Sequence, residues 1–419
     1  MFSVTSEHGC LKTVLVFQPG PEVEQGFPGP LALHPYLGKE YWNLFSVQQQ
    51  FNRMVELLHR KDVEVLEVRQ LLGEILEVDL RGVLQEILAT QCDNYLQYRG
   101  GWPKPEEAVE DLIVGVPQPI DPVQGVIILP LKYAHWVRDQ AFIVGKVVCL
   151  SSVIERRRGG TQLIRSVVRH HPRFANCRVL DFETYQGVKV EGGDVMVFSP
   201  EVVLIGAMSR TDFESARQVA SILLQEVPQL RVVYVVEISK LQGVIHLDQV
   251  FAMVGDRAAL AIPYVFDEPL AYVQLAKPLG DRIQADTGCS ESDLPFQTIP
   301  GRLWVVERDR VKEGKPLLQQ LRTDGLLDET LWIGGGRSDY QNEFEHFRVA
   351  WREATRQAGN VLCVAPWQIL AYGGRNPNTE SSLGQFLQRQ GGELLTFDGS
   401  ELDRGQGGPH CLTMPLRRS

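Results

Sequence analysis

The chain lacks most of the features that would tie it to nucleic acid, to a membrane or to secretion. It has no long basic run and no basic stripe interleaved with aromatics, and 42 basic against 52 acidic residues leave a formal charge of -10. Nucleic acid is therefore not the expected partner. Such a field steers small cationic ligands favourably, although it speaks to encounter rather than chemistry. No apolar stretch reaches membrane-spanning length. The opening segment MFSVTSEHGCLKTVLVF has no basic leader ahead of an uninterrupted apolar core, so no secretory signal is expected. The seven cysteines are odd in number, scattered and without CxxC pairing, which fits a reducing cytoplasm and not a zinc knuckle. Low-complexity segments and letter-level repeats are also missing.

What is present suits a large α/β protein. At 419 residues the chain exceeds one ordinary core, so two domains, or one large symmetric domain with an insertion, are expected. LKTVLVF, Leu11 to Phe17, reads as a first strand stopped by Pro19-Gly20-Pro21. From about Lys39 to Gly115 apolar residues recur at helical spacing, which predicts a mainly helical insertion. Inside it, Val63 to Val68 reads alternatively as a return to the sheet of the main domain. Beyond Pro122, β-branched runs such as FIVGKVVCL, VMVFS, VVLIGA, RVVYVVE and VLCVAP alternate with helical stretches, Phe213 to Glu226 and Tyr340 to Ala358 among them. That alternation predicts an α/β architecture.

Near the end, Gly407-Gly408-Pro409-His410-Cys411 reads as a nucleophile displayed behind flexible glycines. Three acidic motifs lie upstream: Arg138-Asp139, Glu191-Gly192-Gly193-Asp194 and His246-Leu247-Asp248. Carboxylates are what a flat, permanently charged guanidinium with five donors requires. Asp139, Glu191 and Asp248 can pair its edges, and the EGGD glycines would leave room for a ligand and permit unusual backbone angles. If HLD lies on a strand, His246 and Asp248 share a face. Cys411 would attack the guanidino carbon as thiolate, and His246 would protonate the departing nitrogen and then activate water. An acidic site opposes ionisation of the thiol, so binding of a cation would help it. Each motif alone has a plainer reading: RD as a surface ion pair, EGGD as a turn, HLD as a buried histidine or a pair of metal ligands. Their joint occurrence with the glycine-flanked cysteine favours catalysis. His410 reads as a packing residue, and one of Arg156, Arg157 and Arg158 as a partner for a substrate carboxylate.

Taken in order, SEHGCLKTVLVFQPG, WVRDQAF, EGGDVMVFSPEVVLIG with SRT, HLDQVFAMV, RNPNT and SELDRGQGGPHCLTMPL resemble the arginine deiminases over nearly the whole chain. The resemblance implies a five-fold pseudo-symmetric α/β propeller of ββαβ-like units with an inserted helical domain. Residues 1–38 and 121–419 would form the discontinuous propeller and 39–120 the insertion. It implies Cys411 as nucleophile, proton transfer by His246 and Glu191, guanidinium binding by Asp139 and Asp248, and a site organised by Asp194. Arg210 of SRT, Arg158, Arg404 and Gln406 are the candidates for the rest of the substrate. Tyr133 stands where the family carries an asparagine, and Gln406 where it carries an arginine, which weakens the expected clamp on an amino-acid carboxylate. The implied activity is hydrolysis of L-arginine to L-citrulline and ammonia, with neither metal nor organic cofactor. A hydrolase or amidinotransferase acting on another guanidine, and a non-catalytic arginine-binding protein, are the alternatives. A small guanidino compound is the expected partner, with a homo-oligomer left open.

Overall fold

The computed structural model describes residues 2–24, 43–117, 126–238, 243–288, 290 and 301–419; the expected domain boundaries at 38/39 and 120/121, and Cys289, lie outside these. The run LKTVLV forms β1 (Leu11–Val16), and α1 (Leu44–His59), capped by the Asn43 side chain, carries the chain to β2 (Glu64–Glu67). β2 pairs with β1 in parallel, so the apolar run at Val63 to Val68 does return to the first sheet. A parallel neighbour requires such a crossover, because a tight turn cannot reverse the chain twice.

Three helices follow: α2 (Val68–Leu88), α3 (Cys92–Arg99) and α4 (Pro105–Val114). Buried Asp111 on α4 accepts from Tyr95 and Arg99 of α3, each at 2.7 Å, which fixes these helices together. A short ribbon, β3 (Val116–Pro117) and β4 (Val126–Ile128), leads on to the one-turn helix α5 (Val137–Gln140).

From there one pattern recurs: an antiparallel hairpin, a helix, and a third strand parallel to the second. It is made by β5 (Ala141–Val144), β6 (Val147–Leu150), α6 (Arg158–His170) and β7 (Arg178–Asp181). It is made again by β8 (Val195–Ser199), β9 (Val202–Ala207), α7 (Phe213–Glu226) and β10 (Val232–Glu237). In the next unit β11 (Phe251–Gly255), β12 (Ala258–Ala261) and α8 (Pro269–Thr287) are followed by a hairpin, β13 (Leu303–Glu307) and β14 (Arg310–Glu313), which joins the edge of β10. After α9 (Leu317–Thr323) the chain returns as β15 (Glu329–Trp332), parallel to β12. Then come α10 (Glu343–Ala354), β16 (Leu362–Ala365), β17 (Gln368–Tyr372), α11 (Pro377–Arg389) and β18 (Glu393–Phe397). Finally β19 (Met414–Arg418) lies antiparallel to β1, so the last strand completes the first sheet.

The result is a mixed α/β fold in which, among the described residues, five of the six sheets contain one three-strand pairing order, extended in one of them by β13 and β14. The strands β5, β6, β9, β11 and β12 are buried on both faces along their whole length, which is why their sequences read as continuous apolar runs. The segments that carry polar chemistry precede one strand of each antiparallel pair: RD before β5, EGGD before β8, HLD before β11, GPHC before β19 and, in the remaining unit, Asn360 before β16.

Candidate active site

These pre-strand turns converge. RD lies on α5, EGGD on a 3₁₀ turn at Gly192–Asp194 and HLD on a 3₁₀ turn at Leu247–Gln249. HLD is therefore not on a strand. The Gln249 side chain accepts from the backbone N–H groups of Ile245 and His246, at 2.7 and 3.1 Å, and this winds the segment into a turn. The turn still delivers both side chains inward and buries Leu247.

His246 is enclosed by acids. Its Nε2 lies 2.8 Å from Glu191 Oε2 and its Nδ1 3.4 Å from Asp139 Oδ1. Burial alone would lower its pKa, but Asp139, Asp194 and Glu191 outweigh burial and push it up to about 9. Burial raises Glu191, yet Arg157, His246 and Arg210 together hold it down to about 2. Asp194, pushed up to about 7 by burial, accepts from Leu247 N at 3.0 Å and so ties the EGGD turn to the HLD turn.

Cys411 sits on the other side of this acidic group. Its thiol donates to Asp248 Oδ2 at 3.4 Å, and Asp248 Oδ2 also takes a bond of 2.8 Å from His410 Nδ1. Burial pushes the thiol well up, and the charges of Asp248 and Asp139 push it further. Asp248 itself is raised by burial but brought below its ordinary value by His410, His246 and Arg138. Cys411 is buried, so the reading of a thiol displayed on flexible glycines is corrected. A Cβ at Gly408 would come 2.5 Å from the Asn360 carbonyl oxygen, so this glycine serves close packing. Likewise, neither glycine of EGGD has a positive φ. A Cβ on Gly193 would lie 2.8 Å from the His246 ring, so this glycine makes room for the protein's own imidazole.

Two residues missed in the sequence complete the cluster. Glu7, buried near the start of the chain, lies 3.3 Å from Arg138 Nη1 and 3.4 Å from His410 Nε2. Asn360 bonds to Cys411 through its side chain. Lone Glu and Asn residues carry no local signature, although Asn360 does stand immediately ahead of the strand run VLCVAP, as RD and GPHC stand ahead of theirs.

The largest departure concerns the arginine run. Arg158 is exposed and pairs with Glu155 and Glu183, at 2.8 and 3.4 Å, away from the acids. Arg157, the last residue of the 3₁₀ turn Glu155–Arg157 and the N-cap position of α6, is buried instead. Its Nη1 bonds Asp139 Oδ2 and also Glu191 Oε2, the latter at 2.9 Å. Asp139, Glu191 and His246 offer donor atoms within 4.8 Å of one another, compact enough to compete for a metal ion, yet the cation among them is this guanidinium. Arg210 is half-buried with its charge felt at Glu191, Arg404 is exposed beside Glu401 at 3.5 Å, and Gln406 points its side chain outward from a left-handed turn at φ 64°. Arg404 and Gln406 are thus not brought to the acids by these contacts.

A protein arginine is thus held between a carboxylate pair, beside a histidine and within the electrostatic field of a buried cysteine. The model of the family described as arginine deiminase matches residues 116–298 and 343–418. The chain belongs to the arginine deiminase family. It is a hydrolase of the arginine deiminase type, acting on amidine C–N bonds. The arginine deiminase of Listeria welshimeri is 26% identical over 445 residues, covering 99% of this chain and 98% of the relative. That of Clostridium perfringens is 27% identical over 445 residues, with the same coverage of 99% and 98%. Among solved structures, an amidinotransferase of saxitoxin biosynthesis from Microseira wollei superposes with a TM-score of 0.55 at 11% identity, over 100% of this chain and 97% of the other. A mutant of the DDAH from Pseudomonas aeruginosa, complexed with citrulline, gives 0.51 at 14% identity over 97% and 99%. These structures share the fold.

The elevated His246 pKa has a thermodynamic consequence for this arginine deiminase family member. The folded value, about 9, exceeds the unfolded value of about 6.5. The corresponding stabilisation is therefore complete below pH 6.5 and is lost as pH rises through about 9. The melting-temperature gap between wild type and His246→Asn should be largest near pH 6 and shrink by pH 9.5; a constant or widening gap would contradict the assignment.

Proposed function

We propose that the protein hydrolyses L-arginine to L-citrulline and ammonia through a covalent amidino intermediate on Cys411. The observation that carries this reading is the Arg157 guanidinium held by Asp139 and Glu191, since a cage that accepts one guanidinium suits another. Substrate would displace Arg157 and engage Asp139 and Asp248. Its charge would offset the two carboxylates that oppose thiolate formation, so Cys411 ionises as substrate binds, losing its proton to water. The thiolate forms a C–S bond to the guanidino carbon, and a terminal nitrogen leaves as ammonia after taking the proton of the His246 imidazolium. Neutral His246 then accepts a proton from water as the oxygen attacks the amidino carbon. The C–S bond breaks with its electron pair on sulfur, the remaining hydroxyl proton passes to that sulfur, and the ureido product is released with the Cys411 thiol and the His246 imidazolium restored. Glu191 keeps the imidazole oriented throughout.

A second reading, turnover of a different or modified guanidine or transfer of its amidino group to an amine, is favoured by the engagement of Arg158 and Arg404 in surface ion pairs. Incubation with L-arginine, agmatine and methylated or hydroxylated arginines, with and without added amines, separates the readings. Citrulline with equimolar ammonia from arginine is expected. Arginine inert while another guanidine reacts would overturn the arginine assignment, an amidinated amine would overturn hydrolysis, and arginine binding without ammonia release would leave a non-catalytic binder.

We infer further that the five sheets of common pairing order close as a five-fold pseudo-symmetric propeller, supported by the way each presents polar residues ahead of one strand of its antiparallel pair. Residues 1–38 and 121–419 would build it, with 39–120 as the helical insertion; the pairing of β2 with β1 draws α1 and β2 toward the propeller and leaves α2 to α4 as the inserted part. The described cysteines are free, which supports a cytoplasmic location.

A further inference from the structure

We propose that Asn360 is a catalytic residue, which fixes the Cys411 side chain and donates a hydrogen bond to its sulfur as the thiolate forms. The inference rests on the reading of Cys411 as nucleophile. Asn360 is fully buried in the connection between α10 and β16, a long way in sequence from the cysteine. Its Oδ1 accepts from Gly408 N at 2.9 Å and from Cys411 N at 3.0 Å. Both of those groups are donors only, so they dictate which end of the carboxamide faces them. The Nδ2 end must then face the sulfur, and it lies 3.0 Å from Cys411 Sγ and 3.3 Å from the backbone oxygen of Asp248. The Asn360 carbonyl also accepts from His410 N at 3.4 Å. One side chain thus holds the backbone of the nucleophile loop, aims its sulfur and joins it to the HLD turn.

The electrostatics explain why such a donor is needed. Among the described residues, the charged and titratable groups acting on Cys411 or bonded to it or its neighbours include Asp248, Asp139, Arg157, Tyr372, His410, Glu7 and Arg138. Burial, Asp248 and Asp139 oppose the thiolate, and the bond from Asn360 favours it. A neutral N–H donor suits this place, because a cation there would repel the substrate guanidinium. The bond strengthens as the sulfur gains charge, which places its contribution in the transition state. Placement ahead of β16 also makes Asn360 the counterpart, in its unit, of Asp139, Glu191, His246 and Cys411 in theirs.

The test is the pH profile of Cys411 alkylation by iodoacetamide, followed by peptide mass mapping, together with kcat and KM. Asn360→Asp keeps the two acceptor contacts to the loop and replaces the donor; Asn360→Ala removes the donor without adding charge. The alkylation midpoint should rise by about one unit in Asn360→Ala and by more in Asn360→Asp. For both, kcat should fall about 100-fold with KM changed less than about threefold. A midpoint that stays at the wild-type value in Asn360→Ala overturns the proposal. So does a loss confined to KM or to melting temperature, which a merely structural asparagine would give. If Asn360→Asp does not fold, Asn360→Ala decides alone. Alkylation requires no turnover, so the result stands whether or not L-arginine is the substrate.

Discussion

Cys411→Ala protein is expected to fold, to bind L-arginine and to release neither citrulline nor ammonia. Under the proposed mechanism, loss of Cys411 removes the route to the covalent intermediate, and a fall in turnover of at least about 10⁴-fold is expected. The fold should survive because the change deletes one buried sulfur. Asn360 keeps its bonds to the backbone N–H groups at 408 and 411 and to the Asp248 carbonyl, so the loop remains anchored. Removing Sγ leaves one Asn360 N–H without its partner, a loss of about 1–3 kcal/mol. Binding should persist because Asp139, Asp248 and Glu191 are untouched. Two measurements suffice: product assay, and the rise in melting temperature on adding arginine. Full turnover in the variant would remove Cys411 from the mechanism. Loss of the arginine-dependent rise would mean that the sulfur also carries binding.

Arg157→Ala should have the largest effect on stability, and the lost stability should be recoverable with a small molecule. The side chains of Arg157, Asp139 and Glu191 are nearly inaccessible to water, and Arg157 bonds both carboxylates. Truncating one member of such a buried group leaves uncompensated charge and typically costs about 3–5 kcal/mol. The vacated place has the size of a guanidinium and the carboxylate acceptors of Asp139 and Glu191 to receive its N–H groups. Millimolar guanidinium chloride or L-arginine should therefore raise the melting temperature of the variant more than that of wild type, where Arg157 competes for the same carboxylates. An equal concentration of sodium chloride supplies the control for ionic strength. Equal shifts in the two proteins would mean that Arg157 and added guanidinium occupy different places, and the proposed substrate position would fall with that result.

The arrangement around Arg157 also accounts for what was hard to read from the letters. Three adjacent arginines offer identical chemistry, and which one turns inward depends on the phase of the short turn Glu155–Arg157 and of α6 behind it. Arg158 meets Glu155 and Glu183 at the surface while its neighbour reaches Asp139. A change of one residue in helical phase rotates a side chain by about 100°, and sequence spacing alone cannot supply that phase. The HLD segment fails in the same way: a spacing of two suggests a strand, but the Gln249 side chain winds it into a 3₁₀ turn. Glycines of EGGD and GPHC were legible as special, yet the reason lies in the His246 ring and the Asn360 backbone, both far away in sequence.

Local chemistry was nonetheless strongly written into the chain. Apolar β-branched runs determined the strands and amphipathic spacing the helices, because those patterns act through neighbouring residues. The residue types in those distinctive short motifs, a cysteine, a histidine and several carboxylates, pointed to guanidine chemistry before any contact was known, and the family match agrees with that direction. Only the tertiary structure decided how Glu7, Asn360 and Arg157 join them. Their roles arise from burial and from partners brought together by strand pairing across hundreds of residues, as when β19 closes against β1 and carries Cys411 to the acids. Pairwise distances, and the pKa values that depend on them, are properties of that folded juxtaposition.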